Sequence, residues 1–212
     1  MLLIIMMSMK KKKIIESKKL LDLFDRKTIE WHKVEPNELE EIETIDDAIL
    51  KLLLRNFQLW HTEDEARRKD VPDSYIADCK RKIDKLNQSR QDIIEKCDEL
   101  IILIWPWVSE NSDLPMNTET PGSVIDRLSV ASLKMFHMKE QTLRTDVGSL
   151  HIAKCNDKLN ALGNQRKDLA LAFDQLIEDL CEHRKKLKVY RQFKMYNDPS
   201  LNPAMYGVKR GA

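Results

Sequence analysis

The sequence predicts an all-α protein: an antiparallel four-helix bundle built from two duplicated helical hairpins, with a helical segment before it and an extended tail after it. Two observations carry this reading. Helix breakers are scarce, with five Gly and seven Pro in 212 residues, while 42% of residues are hydrophobic and 33% charged; that is the composition of a soluble helical protein rather than a sheet. The chain also repeats itself. A shift of 76 positions lays residues 49–101 on 125–177 without a gap, with 16 identities in 53 positions, far more than unrelated sequences share. The pairs include His61/His137, Arg68/Arg144, Cys79/Cys155, Arg90/Arg166 and Asp98/Asp174.

Residues 1–13 open with an apolar run too short to cross a bilayer, and the basic run Lys10 to Lys13 follows it, the reverse of a signal peptide. They are read as disordered, as a start assigned too early or as a weak membrane-surface anchor, and residues 14–212 as one helical domain. Residues 14–41 hold a short amphipathic piece, with Leu20, Leu21, Leu23, Phe24 and Trp31, expected to pack across one end of the body. The first long helix is expected from about Glu38 to Lys69, because Ile42, Ile45, Ile49, Leu52, Leu59 and Ala66 share a face. After a turn at 70–74, apolar positions 76, 79, 83, 86, 93, 97, 100 and 104 form the seam of a second helix. Arg90 interrupts that seam, and Pro106 ends the helix at Trp105-Pro106-Trp107.

A polar loop, 109–119, separates the units. The third helix opens with Thr120 as N-cap and Pro121 as first helical residue, where a missing amide proton is harmless, and runs to about Arg144. The fourth repeats the seam from 152 to 180 with Arg166 in the interruption. Extended to Lys194 it would be about 65–70 Å long, overhanging the bundle or bending near Gly163. The tail, 196–212, is expected to lie against the bundle as far as Tyr206, since Pro199 and Pro203 lower the entropy lost on ordering.

A net charge of +1 gives no bulk electrostatic reason to bind nucleic acid or an anionic membrane. The four cysteines form no C-x-x-C pair and fall at apolar helix positions, which fits reduced core residues of a cytoplasmic protein.

Three groups of residues carry candidate chemistry. Arg90 and Arg166 sit on otherwise apolar seams, where a guanidinium must find acceptors. Either both face one central pocket and bind phosphate or carboxylate, or each is held by an acid such as Glu63, Asp64, Asp126 or Glu140. His61-x-x-Asp64 and His137-x-x-Glu140 each place an imidazole and a carboxylate on one helix face. Two such helices hold a divalent metal between them, or the histidines are hydrogen-bonded at an interface. Thr120, Gly122, Ser123, Asp126 and Arg127 surround a helix N-terminus, an anion site or an ordinary cap. Asp84, Asp92, Asp98, Asp168 and Asp174 fall off the seams and are expected to face solvent. No phosphate-binding Gly motif or nucleophile elbow is present, so no cofactor is expected beyond a divalent metal.

The segments L-W-H-x-E-D-x-A-R-R (59–68), I-A-x-x-K-R-x-I-D-x-L-N-Q-x-R-x-D (76–92), N-T-E-T-P-G-S-V-I-D-R-L-S (117–129) and M-Y-N-D-P-S-L-N-P (195–203) resemble the bacterial domain-of-unknown-function 4254 family. The resemblance covers roughly residues 20–208. It implies an all-helical cytoplasmic protein and genes lying near glycosyltransferases of cell-surface polysaccharide, and it supplies no activity or catalytic residue. The expected function is an accessory or binding protein of cell-envelope polysaccharide biosynthesis, recognising an anionic, phosphorylated sugar-type ligand or a partner enzyme. The alternative is a metal-dependent hydrolase or transferase acting on a phosphorylated metabolite. Whether a reaction occurs, and in what oligomeric state, the residues leave open.

Overall fold

The computed structural model describes residues 15–39, 41–110 and 113–207; the N-terminal apolar run lies outside them. The all-α expectation holds. In chain order the helices are α1 (Ser17–Trp31), α2 (Ile45–Glu65), α3 (Asp73–Ile104), a single turn α4 (Trp107–Glu110), α5 (Pro121–Thr142), α6 (Ser149–Cys181) and a last turn α7 (Pro203–Tyr206). Among the described residues the one bridge of β type pairs Met116 with Lys186, and no helix is long and apolar enough to cross a membrane.

The two hairpins, α2/α3 and α5/α6, coincide under the 76-residue shift to within one residue at every helix end. Their turns carry the same ion pair, Arg68 to Asp70 (2.8 Å) and Arg144 to Asp146 (2.6 Å). Helix α2 starts at Ile45 rather than near Glu38 because Thr44 and Asp47 form a capping box: Asp47 N–H donates to Thr44 Oγ1 (3.2 Å), and Thr44 N–H to Asp47 Oδ2 (2.9 Å). The described residues of 33–44 are therefore not helical. Arg55 anchors that segment through its ion pair with Glu38.

Helix α1 does not cross one end of the bundle. Asp174 of α6 accepts Ser17 N–H (2.9 Å) and Ser17 Oγ–H (2.7 Å), and eight residues back along α6 Arg166 binds Asp25, eight residues onward in α1. Equal steps in opposite directions mean that α1 runs antiparallel along α6. Its Leu20 and Phe24 join the common core with Ile49, Leu52, Ile101, Ile125, Leu128 and Phe173.

A simple rule describes the packing. Each hairpin is crossed by one further helix, which an Asp on the hairpin's second helix holds by the N-terminus and an Arg on that helix holds by an internal Asp. On α3 these are Asp98, accepting Gly122 N–H (2.7 Å), and Arg90, donating from Nε to Asp126 of α5 (2.7 Å). On α6 they are the repeat partners Asp174 and Arg166, and the crossing helix is α1. Helix α5 serves both units, and it packs against α1, α2, α3 and α6. The bundle is thus five-helical around α5.

Helix α6 ends at Cys181, well short of Lys194. His183 takes φ 56° and the amides of Arg184 and Lys185 donate to Asp179 O (2.8 and 3.2 Å), a left-handed reversal that closes the helix. The chain then returns along α3: Leu187 N–H donates to Val108 O (2.8 Å), Gln192 N–H to Glu95 Oε1 (2.9 Å) and Lys194 Nζ to Asn87 O (3.0 Å). This strap lies on the bundle as far as Lys194. Leu201, Met205 and Tyr206 are exposed, contrary to expectation. All four cysteines are buried and none is in a disulfide; burial pushes the Cys97 thiol well above its ordinary range.

Candidate metal centre

Three helices bring one histidine each to the same place. His32 is the C-cap of α1, His61 lies in the last turns of α2, and His137 in the last turns of α5. The ring centroids are 5.1 Å (His32–His61), 5.0 Å (His32–His137) and 5.6 Å (His61–His137) apart, and one ligating nitrogen from each lies within 4.8 Å of the others. The C-terminal ends of helices carry partial negative charge, so three of them meeting here favour a cation.

The hydrogen bonds fix which nitrogens are available. His32 Nδ1–H donates to Thr28 O (2.7 Å) and His137 Nδ1–H to Glu140 Oε2 (2.8 Å). Each bond leaves Nε2 as a bare lone pair, the arrangement by which carbonyls and carboxylates orient metal-binding imidazoles. The Nε2 atoms of His32, His61 and His137 are all buried without a hydrogen-bond partner among the described residues. One such atom costs about 1–3 kcal/mol, so three in one spot require an explanation.

Aromatic rings wall the cluster. Phe136 stacks on His32 (4.0 Å), Trp60 on His137 (4.7 Å, interplanar 6°), and Phe57 meets His61 edge-on at 4.5 Å. Burial among these rings, then the neighbouring imidazoles His32 and His137, push the His61 pKa below its ordinary value, which keeps the ring neutral and its lone pair free. A tetrahedral ion with Zn–N bonds of about 2.0–2.1 Å needs nitrogens about 3.3 Å apart, so closing the site takes rotamer adjustments of an ångström or so.

The expected ligands are partly redistributed. His61 and His137 do meet, but their companion is His32 and not the acids: Glu140 stands behind His137, Asp64 is exposed, and Glu63 pairs with Arg67 (2.7 Å). The arginines do not join them. Arg90 forms a two-pronged pair with Asp126, which also accepts from Asn56 Nδ2 (2.8 Å). Arg166 pairs with Asp25 (2.5 Å) and Ser132 Oγ (2.9 Å). Both border a groove of about 720 Å³ over α5, yet an anion there would have to displace both aspartates. Asp126 lies eleven residues from His137 on α5, about 16 Å along the axis. The α5 N-terminus is likewise occupied: Gly122 N–H binds Asp98, Ser123 N–H binds Thr120 Oγ1 (3.2 Å), and Arg127 pairs with Glu119. Asp98 is 3% exposed, not solvated as expected.

His32 was missed because it lies outside the repeat. A signal was present nevertheless: an aromatic residue precedes histidine three times, in Trp31-His32, Trp60-His61 and Phe136-His137, in a chain of only five His.

Residues 43–189 match the model of a family described as "Protein of unknown function (DUF4254)". The matched stretch holds His61 and His137, while His32 precedes it. No curated protein and no solved structure matches the chain.

Proposed function

The chain belongs to the DUF4254 family of proteins of unknown function, and for it we propose a metal-dependent hydrolase in which His32, His61 and His137 hold one divalent transition metal through Nε2. The observation that carries this reading is a cluster of three histidines, each with one ring nitrogen within 4.8 Å of the others and each with a buried Nε2 that has no hydrogen-bond partner among the described residues. Neutral imidazole suits zinc and its neighbours in the first transition series. Three protein ligands leave a coordination position for water, the pattern of catalytic rather than structural zinc sites, and the metal lowers the pKa of that water to about 7. A bound metal would supply Lewis-acid activation of water; Glu140 holds His137 in the tautomer whose Nε2 can ligate, and Phe57, Trp60 and Phe136 wall the three rings.

A cytoplasmic setting belongs to the same proposal, supported by four buried cysteines without a disulfide, while a bacterial source rests on the family resemblance. A place in cell-envelope polysaccharide biosynthesis rests on the family resemblance alone.

Protein purified without added metal, then titrated with Co(II), should bind one equivalent with the visible spectrum of a nitrogen-ligated low-coordinate ion. His32→Gln, His61→Gln and His137→Gln should each lose stoichiometric binding while keeping the helical circular dichroism. Absence of stoichiometric metal in the parent protein, or binding that survives removal of two histidines, would show that the rings are interior packing and nothing more.

A further inference from the structure

The duplication gives the histidine cluster two flanks, and the two copies have diverged in charge. On the α2 side a cavity of about 510 Å³ is lined by His61, Gln58, Lys82 and the acids Glu35, Glu65 and Asp78. On the α5 side a cavity of about 560 Å³ is lined by His137 and by the repeat partners of three of those residues. Gln58 is replaced by Lys134, Glu65 by Gln141, and Lys82 by Lys158. The acid count falls to one, Asp64. Lys134 stands one turn before His137 on the same face of α5, and among the described residues neither Lys134 nor Lys158 has an ion-pair partner. Most of the remaining wall is apolar, with Trp60, Met138, Ala161 and Leu162 beside Gln165.

We propose that the α5-side cavity is the substrate pocket of the metal centre and takes a phosphate monoester. The inference rests on the metal reading given above. Two ammonium groups in one cavity, with the histidine cluster behind its His137 wall, would suit a dianion with several acceptor oxygens. A phosphate monoester has that charge near neutral pH; its terminal oxygens would accept from the ammonium groups of Lys134 and Lys158, and a metal held at the His137 wall would supply further positive charge. A carboxylate offers one charge and two oxygens. The apolar wall receives the organic part of the ester, as ligand pockets commonly combine one greasy wall with a few placed polar groups. The α2-side cavity, with its three acids, repels the same ligand.

The Co(II)-loaded protein tests this with inorganic phosphate and phenyl phosphate as probes. Both should perturb the Co(II) visible bands saturably, phenyl phosphate at lower concentration because only it covers Trp60, Met138 and Leu162. Lys134→Gln/Lys158→Gln should keep the parent Co(II) spectrum and weaken the phosphate response at least tenfold, while Lys82→Gln on the opposite flank leaves it unchanged. A phosphate response unaltered in the double variant, or equally weakened by Lys82→Gln, would overturn the pocket and leave the metal reading standing. Failure of the parent protein to bind Co(II) would remove both.

Discussion

Asp98 is a carboxyl that the fold buries and then uses. It accepts Gly122 N–H at the start of α5 and also engages Thr120, and both interactions favour its ionised form; burial outweighs them and pushes its pKa up to about 6 from 3.8. A carboxyl whose folded pKa is raised stabilises the native state most below the unfolded value. That contribution is lost as pH climbs from about 4 to about 6, and then stays lost. Two pKa units correspond to about 3 kcal/mol. The stability of Asp98→Asn minus that of the parent protein, from urea unfolding, should therefore rise by about 3 kcal/mol between pH 3 and pH 7. A difference that does not change with pH would mean that Asp98 ionises as a solvated carboxylate does. Sequence reading missed this residue for a definable reason. Asp98 sits off the apolar seam of α3, and only the arrival of α5 on that flank takes it out of water. The arginines were more legible, because a guanidinium on a seam has to meet an acid; Asp126 was among the acids named and Asp25 was not.

At the scale of elements, α5 approaches α3 closely enough to make one glycine obligatory. A Cβ at Gly122 would lie 2.4 Å from Ile94 O and 3.1 Å from the Asp98 carboxyl, and a backbone carbonyl inside a helix has no room to give. Gly122→Ala should cost about 1–3 kcal/mol or more by overpacking, read as a lower urea midpoint. Gly163→Ala is the control, since its nearest neighbour is the flexible Met135 side chain at 3.9 Å, and the better helix former should raise stability slightly. Equal effects at the two sites would contradict the close approach. Helix existence and order were readable from periodicity, and the N-cap of α5 from Thr120-Pro121. The ends were less so: α6 stops at Cys181 because His183 adopts a left-handed conformation, which no apolar pattern announces.

For the whole molecule, the hairpin with its crossing helix occurs twice, and α5 belongs to both copies. Helix α1 supplies the second crossing and, through His32, the third imidazole. A chain beginning at Glu41 should keep the two hairpins and lose stoichiometric metal. It should also bind a hydrophobic dye, since Phe173, Leu176 and Ile177 of α6 share the core that α1 covers with Leu20 and Phe24; unchanged metal uptake or no dye binding would refute this dependence. The order of helices in space is therefore not their order in synthesis. Helix α1 leaves the ribosome before the other described helices, yet the carboxylate that seizes its N-terminus comes 157 residues later. Closing so long a loop costs little more entropy than closing a shorter one, so the burden falls on time rather than on final stability. Until α5 is made the apolar face of α1 waits without its main partner and the histidine cluster lacks His137, and the ion pairs and hydrogen bonds that fasten α1 come only with α6.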